Sequence, residues 1–323
     1  MRGFAATALS RIKAPGAFDR SLRLACACGL ILVGQARWEI ETRAQELPAG
    51  ARVLAEGFLF AEGPAVAPDG SLYFTDVRGN RIHRRNGSSV ETFYEGPEGC
   101  NGLAFDREGY LYACAGAAGA ILRFTAEGAA TRWIDQVDGQ PLNRPNDLAF
   151  DARGNLFFTN PAGLGGAEPR SPVGVVRVRP DRSAAVVATG PAYPNGIGVS
   201  PDGRYLYVND TQGGSVVYRF PLSDDGEVGA GEVWVRLGAG GPDGMTLAAS
   251  GVVYVALNLG AKIVKLSPEG RTLGEIIFPR GSGVTNLCFG GEDWRTLYVT
   301  LATRRQLIAL PADEPGFPLP PRR

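Results

Sequence analysis

Residues 62–74 read Glu62-Gly63-Pro64-Ala65-Val66-Ala67-Pro68-Asp69-Gly70-Ser71-Leu72-Tyr73-Phe74. A polar residue and a small residue lead into an apolar run. A Pro-Asp-Gly turn follows, and then a second apolar run. Two β-rich runs around such a turn form a hairpin, because Pro presets its backbone angle for the turn and Gly accepts a positive φ. The phrase returns five times, led by Asn101-Gly102-Leu103, Asn146-Asp147-Leu148, Asn195-Gly196-Ile197, Asp243-Gly244-Met245 and Thr285-Asn286-Leu287. Arg107-Glu108-Gly109, Ala152-Arg153-Gly154 and Pro201-Asp202-Gly203 are the matching turns in three of these copies.

The aromatic of each second run aligns as Tyr73, Tyr112, Phe157, Tyr207, Tyr254 and Tyr298, in steps of 39, 45, 50, 47 and 44 residues. Periods of roughly 40–50 residues with several strands per unit are those of propeller blades. The pattern predicts an all-β fold: a six-bladed β-propeller with four-stranded antiparallel blades around a central metal-binding channel. The expected boundaries are a leader over 1–49, the propeller over 50–310 and a Pro-rich tail over 311–323. The last copy supplies three evident strands, and Ala51–Glu56 is the expected fourth, which would close the ring and remove a free edge.

Composition narrows the function. The chain has 323 residues, 33 Lys and Arg against 33 Asp and Glu, and zero formal net charge. That balance predicts no nucleic-acid partner. The five cysteines, Cys26, Cys28, Cys100, Cys114 and Cys288, show neither a disulfide framework nor zinc spacing. The single histidine, His83, lies beyond the first hairpin on an expected outer strand. That argues against a Ser-His-Asp triad or a histidine-based zinc centre. Leu24–Gly34 is an apolar run too short to span a bilayer. With Arg11, Lys13, Arg20 and Arg23 before it, the run fits a secretory segment. Periplasmic or secreted and cytoplasmic locations are both compatible with it. Oligomeric state is not legible.

Equivalent positions of a repeat meet around one axis, so Glu62, Asn101, Asn146, Asn195, Asp243 and Thr285 should form a ring. Two carboxylates among amide oxygens suit a hard divalent cation, which takes oxygen ligands, about six to eight for Ca²⁺. Ca²⁺ is the expected ion, with Mg²⁺, Mn²⁺ or Zn²⁺ as alternatives. Asp69 and Asp202, by contrast, sit in turns. The second-to-third-strand loops should open on the ring's face. The third blade's loop, from about 160 to 173, is long enough to serve as a lid.

Glu62-Gly63-Pro64, Arg144-Pro145-Asn146-Asp147, Pro194-Asn195-Gly196, Pro242-Asp243-Gly244-Met245 and Thr285-Asn286-Leu287-Cys288-Phe289-Gly290-Gly291 together resemble the gluconolactonase / senescence marker protein / luciferin-regenerating enzyme family. The resemblance covers about residues 50–310. It implies a six-bladed propeller with a divalent cation in the central channel. Glu62, Asn195 and Asp243 match its direct metal ligands. Asn146 matches a position contacting metal or substrate, Arg144 a substrate-binding arginine, and Asp243 also the general base. Asn101 and Asp147 are further candidate substrate contacts, Asp147 doubling as a second candidate base. The chain departs from bacterial relatives at Cys114-Ala115-Gly116, where a Glu-His pair is common, and at Asn160, where Asp is common. The expected activity is metal-dependent hydrolysis of a small sugar lactone: the metal polarises the carbonyl and a carboxylate activates water. The alternatives are a non-catalytic propeller used as a binding platform and a hydrolase of organophosphate-type esters at the same metal.

Overall fold

The computed structural model describes residues 46–163 and 168–317. The expected secretory segment over 24–34 and the last six residues of the expected tail lie outside them. Six four-stranded antiparallel sheets make six blades. Their inner strands are Ala61–Val66, Cys100–Phe105, Leu148–Phe150, Pro194–Val199, Pro242–Leu247 and Val284–Gly290. The sixth blade takes its outer strand from the start of the propeller: Arg52–Glu56 pairs antiparallel with Gln306–Pro311. The expected ring closure is therefore present, and backbone hydrogen bonds join the two ends. No helix among the described residues is long and apolar enough to cross a membrane.

The aligned aromatics explain how the blades pack. Each pairs across its hairpin with a residue of modest size: Tyr73 with Ala65, Tyr112 with Ala104, Phe157 with Ala149, Tyr207 with Gly198, Tyr254 with Thr246 and Tyr298 with Cys288. A small partner leaves the ring free to reach the next blade. Tyr73 meets Phe105 edge-on at 5.2 Å, Tyr112 meets Phe150 at 5.1 Å, and Tyr254 meets Phe289 at 5.2 Å. Edge-to-face pairs of this kind contribute roughly 0.5–1.5 kcal/mol beyond their buried area. His83 belongs to this packing. It is buried, its ring lies 5.1 Å from Phe58 and 5.2 Å from Phe74, and burial lowers its pKa. Cys100 and Cys114 lie on adjacent strands of the second blade as free, buried thiols.

The inner hairpins carry the feature that builds the site. Pairing slips between Glu62 and Ala65, Cys100 and Leu103, Pro194 and Ile197, Pro242 and Met245, and Val284 and Asn286. Each slip is a β-bulge at the lead residue, and a bulge re-aims the side chain it carries. The apolar run beyond it stays in register.

Candidate metal centre

Glu62, Asn195 and Asp243 lie near one another: Asp243 repels the Glu62 carboxylate, and the Asn195 amide bonds the Asp243 carboxylate. Glu62, Asn195 and Asp243 are all at least nine-tenths buried, and Asn101 and Asn146 are half-buried. Each sits on a backbone fixed by its neighbours. Thr75 Oγ1 donates to Asn101 O at 3.0 Å, and in the pseudo-equivalent place three blades on, Asn209 Nδ2 donates to Asp243 O at 2.7 Å. Asn258 Nδ2 donates to Asp243 Oδ2 at 2.7 Å, and Asn195 Nδ2 to Thr211 Oγ1 at 3.1 Å. That bond turns the Asn195 carbonyl oxygen away from Thr211. Thr285 departs from the ring: its hydroxyl bonds Ala61 O at 2.8 Å and Thr300 Oγ1 at 2.9 Å. It seals the sixth blade to the first and offers no oxygen to the axis.

The electrostatics are those of crowded acids. Burial pushes the Glu62 pKa well up, and repulsion from Asp243 and Asp147 adds to it. Burial also raises Asp243, against the lowering effect of the Asn258 and Asn195 amides. Asp147 rises to about 7, chiefly by burial. No Lys, Arg or His forms an ion pair with any of the three among the described residues. Buried carboxylates without a counter-charge are strongly unfavourable as anions. A divalent cation would supply that charge, so the residues fit one. No three His, Cys, Asp or Glu side chains converge as a ligand set among the described residues. Any cation held here must therefore draw on amide oxygens as well as carboxylates, which is hard-cation chemistry.

Sequence reasoning did not single out Tyr193. Its phenol is influenced electrostatically by Asp243, Arg144 and Glu62 and is within reach of Asn146, so it stands over the ring. The exposed Arg144 is on the same side. Asp210 holds the Tyr193 segment by accepting Ala192 N at 2.7 Å and Tyr193 N at 2.9 Å. Asp76 does the same for Leu59 and Phe60 in the first blade. The signal was present two residues before each ring residue: Phe60, Arg144 and Tyr193 stand where the other three copies have Gly99, Gly241 and Gly283.

Asp147 and Asn286 lie one residue past their lead positions. Both line a cavity of 610 Å³ that opens at the other end of the channel, walled by Leu103, Phe150, Ile197 and Met245 among others. The third blade's long loop is placed as expected, between Leu156–Asn160 and Gly174–Val178. Residues 164–167 of it lie outside the described residues. Its C-terminal end is fastened: Arg170 N and Ser171 N both donate to Asn143 Oδ1, and Asn160 Nδ2 donates to Ser171 Oγ at 3.0 Å. Asn160 is fully buried in that latch.

Residues 60–303 match the family model described as "SMP-30/Gluconolactonase/LRE-like region". The chain belongs to this family. It is 32% identical to the 6-deoxy-6-sulfogluconolactonase of Pseudomonas putida over 76% of this chain and 83% of the relative. It is 29% identical to the pentonolactonase XacC of Haloferax volcanii over 78% and 84%. Among solved structures, the gluconolactonase XC5397 of Xanthomonas campestris superposes with a TM-score of 0.74 at 28% identity, over 81% of this chain and 89% of that one.

Proposed function

We propose that this SMP-30/gluconolactonase-like protein is a divalent-cation-dependent hydrolase of a small sugar lactone. The observation that carries the reading is the cluster of buried carboxylates at the axis, framed by amides and paired with no Lys, Arg or His among the described residues, in a chain whose similar relatives include lactonases. Glu62, Asn195 and Asp243 would hold the ion, with Asn146 beside it. A bound cation would supply Lewis acidity toward the lactone carbonyl. Asp243, its carboxylate oriented by Asn258, would accept the proton of the attacking water. It would return that proton to the ring oxygen as the acyl C–O bond breaks, and the product is the open hydroxy acid. Arg144 and Tyr193 would orient the lactone above the ring, and Asn101 would line its side. Cys114 and Ala115 are fully buried and Asn160 is held in the loop latch, which leaves Arg144, Tyr193 and Asn101 as the contacts for the lactone's hydroxyls.

The test is direct. Protein stripped by a chelator is assayed on a panel of aldonolactones with and without Ca²⁺, Mg²⁺, Mn²⁺ and Zn²⁺. Turnover that appears only with a divalent ion supports the reading. Metal-independent turnover would overturn the cation dependence, and binding without turnover would reduce the protein to a platform.

A further inference from the structure

Four of the six copies carry glycine directly after the lead residue: Gly63, Gly102, Gly196 and Gly244. The other two, in the diametrically opposed third and sixth blades, carry Asp147 and Asn286. The glycines are there for space. A methyl group on Gly102 would sit 2.2 Å from Asp147 Oδ1, and one on Gly244 would sit 2.1 Å from Asn286 Oδ1. Methyl groups on Gly63 and Gly196 would strike the carbonyl oxygens of Asn101 and Asp243 at 2.2 and 2.3 Å. The four glycines thus clear a layer of the channel that only two side chains fill.

Those two side chains meet. Asn286 Nδ2 donates to Asp147 Oδ2 at 3.3 Å across the axis. Each is oriented by its own chain: Asp147 Oδ1 accepts Leu148 N at 2.9 Å, and Asn286 Oδ1 accepts Leu287 N at 2.8 Å. With Oδ1 held in that way, the Asn286 amide nitrogen must face the axis. The supporting hydroxyls also correspond. Thr159 Oγ1 receives Asp147 N at 3.0 Å, and Thr300 Oγ1 receives Asn286 N at 3.1 Å. Above the pair lie Glu62 and Asp243, and the Asn286 amide interacts with the Glu62 carboxylate as well. Below lies the 610 Å³ cavity.

Given the cation-dependent function proposed above, we infer that Asp147 and Asn286 form a cross-brace that floors the cation site, positioning Glu62 and separating the ring from the lower cavity. Asp147 is then a positioning residue and not a substrate contact. It contributes a negative charge beneath the ion, while the amide of Asn286 keeps the Glu62 carboxylate aimed up the axis. Groups that orient metal ligands typically change metal affinity about 10–100-fold when removed.

The test measures Ca²⁺ binding by calorimetry on chelator-stripped protein, with no substrate present. Asp147→Asn and Asn286→Ala should each weaken the dissociation constant by about 10-fold or more. The exchanged pair, Asp147→Asn with Asn286→Asp, keeps the hydrogen bond and the net charge in reversed order. It should bind at least about 3-fold more tightly than either single variant, because the pairwise interaction is restored, but short of wild type, because a carboxylate at 286 faces Glu62 where the amide did. A merely structural role would show equal loss of unfolding midpoint in all variants and no recovery in the exchanged pair. Unchanged affinity in both single variants, or an exchanged pair no better than the singles, would overturn the brace. If Asn286→Ala fails to fold, the near-isosteric Asp147→Asn and the exchanged pair still decide. A wild-type protein that binds no divalent ion would overturn the proposed function and the brace together.

Discussion

With no divalent cation bound, this propeller's stability should depend on pH in an unusual direction. Most carboxylates in folded proteins are stabilised as anions, and their proteins weaken in acid. Asp147 is held instead at about 7, against an ordinary value of 3.8, because it is buried. A folded-state pKa above the unfolded one means that the native state binds the extra proton. The group's contribution is therefore most favourable at low pH and is lost as pH rises through the window from about 4 to 7. The gap between 3.8 and about 7 corresponds to roughly 4 kcal/mol in full, of which about 2.5 kcal/mol falls between pH 5 and pH 8. Glu62 and Asp243 shift in the same direction. His83 opposes them, because its lowered pKa adds stability as pH rises through about 6.5. The surface acids Asp69 and Asp202, lowered below 3.8, act outside this window. The assay is urea unfolding of chelator-treated protein at pH 5 and pH 8, for wild type and Asp147→Asn. Wild type should lose about 2 kcal/mol or more relative to the variant between these pH values. Saturating Ca²⁺ should remove most of that difference, since a cation favours the anions. An identical pH dependence in wild type and variant, or one that Ca²⁺ leaves untouched, would refute the idea that the axis holds uncompensated buried acids.

Three further outcomes are expected. Asp243→Asn should abolish lactone turnover and weaken Ca²⁺ binding, whereas Asp202→Asn, which touches only a turn through Ser200 and Arg204, should do neither in steady-state kinetics and calorimetry. Gly102→Ala should cost about 1–3 kcal/mol in urea unfolding, because the added methyl meets Asp147 Cα at 2.7 Å and Asn146 O at 2.9 Å, neither of which can swing away. Gly203→Ala meets nothing within 4 Å, so any cost must come from its positive φ. Tyr193→Phe should lower kcat/KM about 10-fold while leaving calorimetric Ca²⁺ affinity within about 2-fold, since a lost substrate hydrogen bond is worth roughly 1–1.5 kcal/mol; an equal loss of both would make the phenol part of the ion's support.

The fold and the lead position of each blade could be read from the chain because a repeat turns sequence position into spatial position. The aligned aromatics Tyr73 through Tyr298, the turns at Pro68-Asp69-Gly70 and Pro201-Asp202-Gly203 and the lead residues Glu62, Asn195 and Asp243 all follow from period and local turn chemistry. The closing strand Arg52–Glu56 follows from the need to pair a free edge. Tertiary structure alone decided what each polar atom faces. Thr285 occupies a lead position, yet its hydroxyl seals the wall, because Ala61 O and Thr300 lie within reach across a blade boundary that no local pattern encodes. Asn258 and Tyr193 reach the site from strand and loop ends whose direction depends on the neighbouring blade. Asp147 and Asn286 are 139 residues apart. Their departure from glycine was visible in the chain, but their meeting was not: a hydrogen bond across an axis exists only once six blades have closed around it.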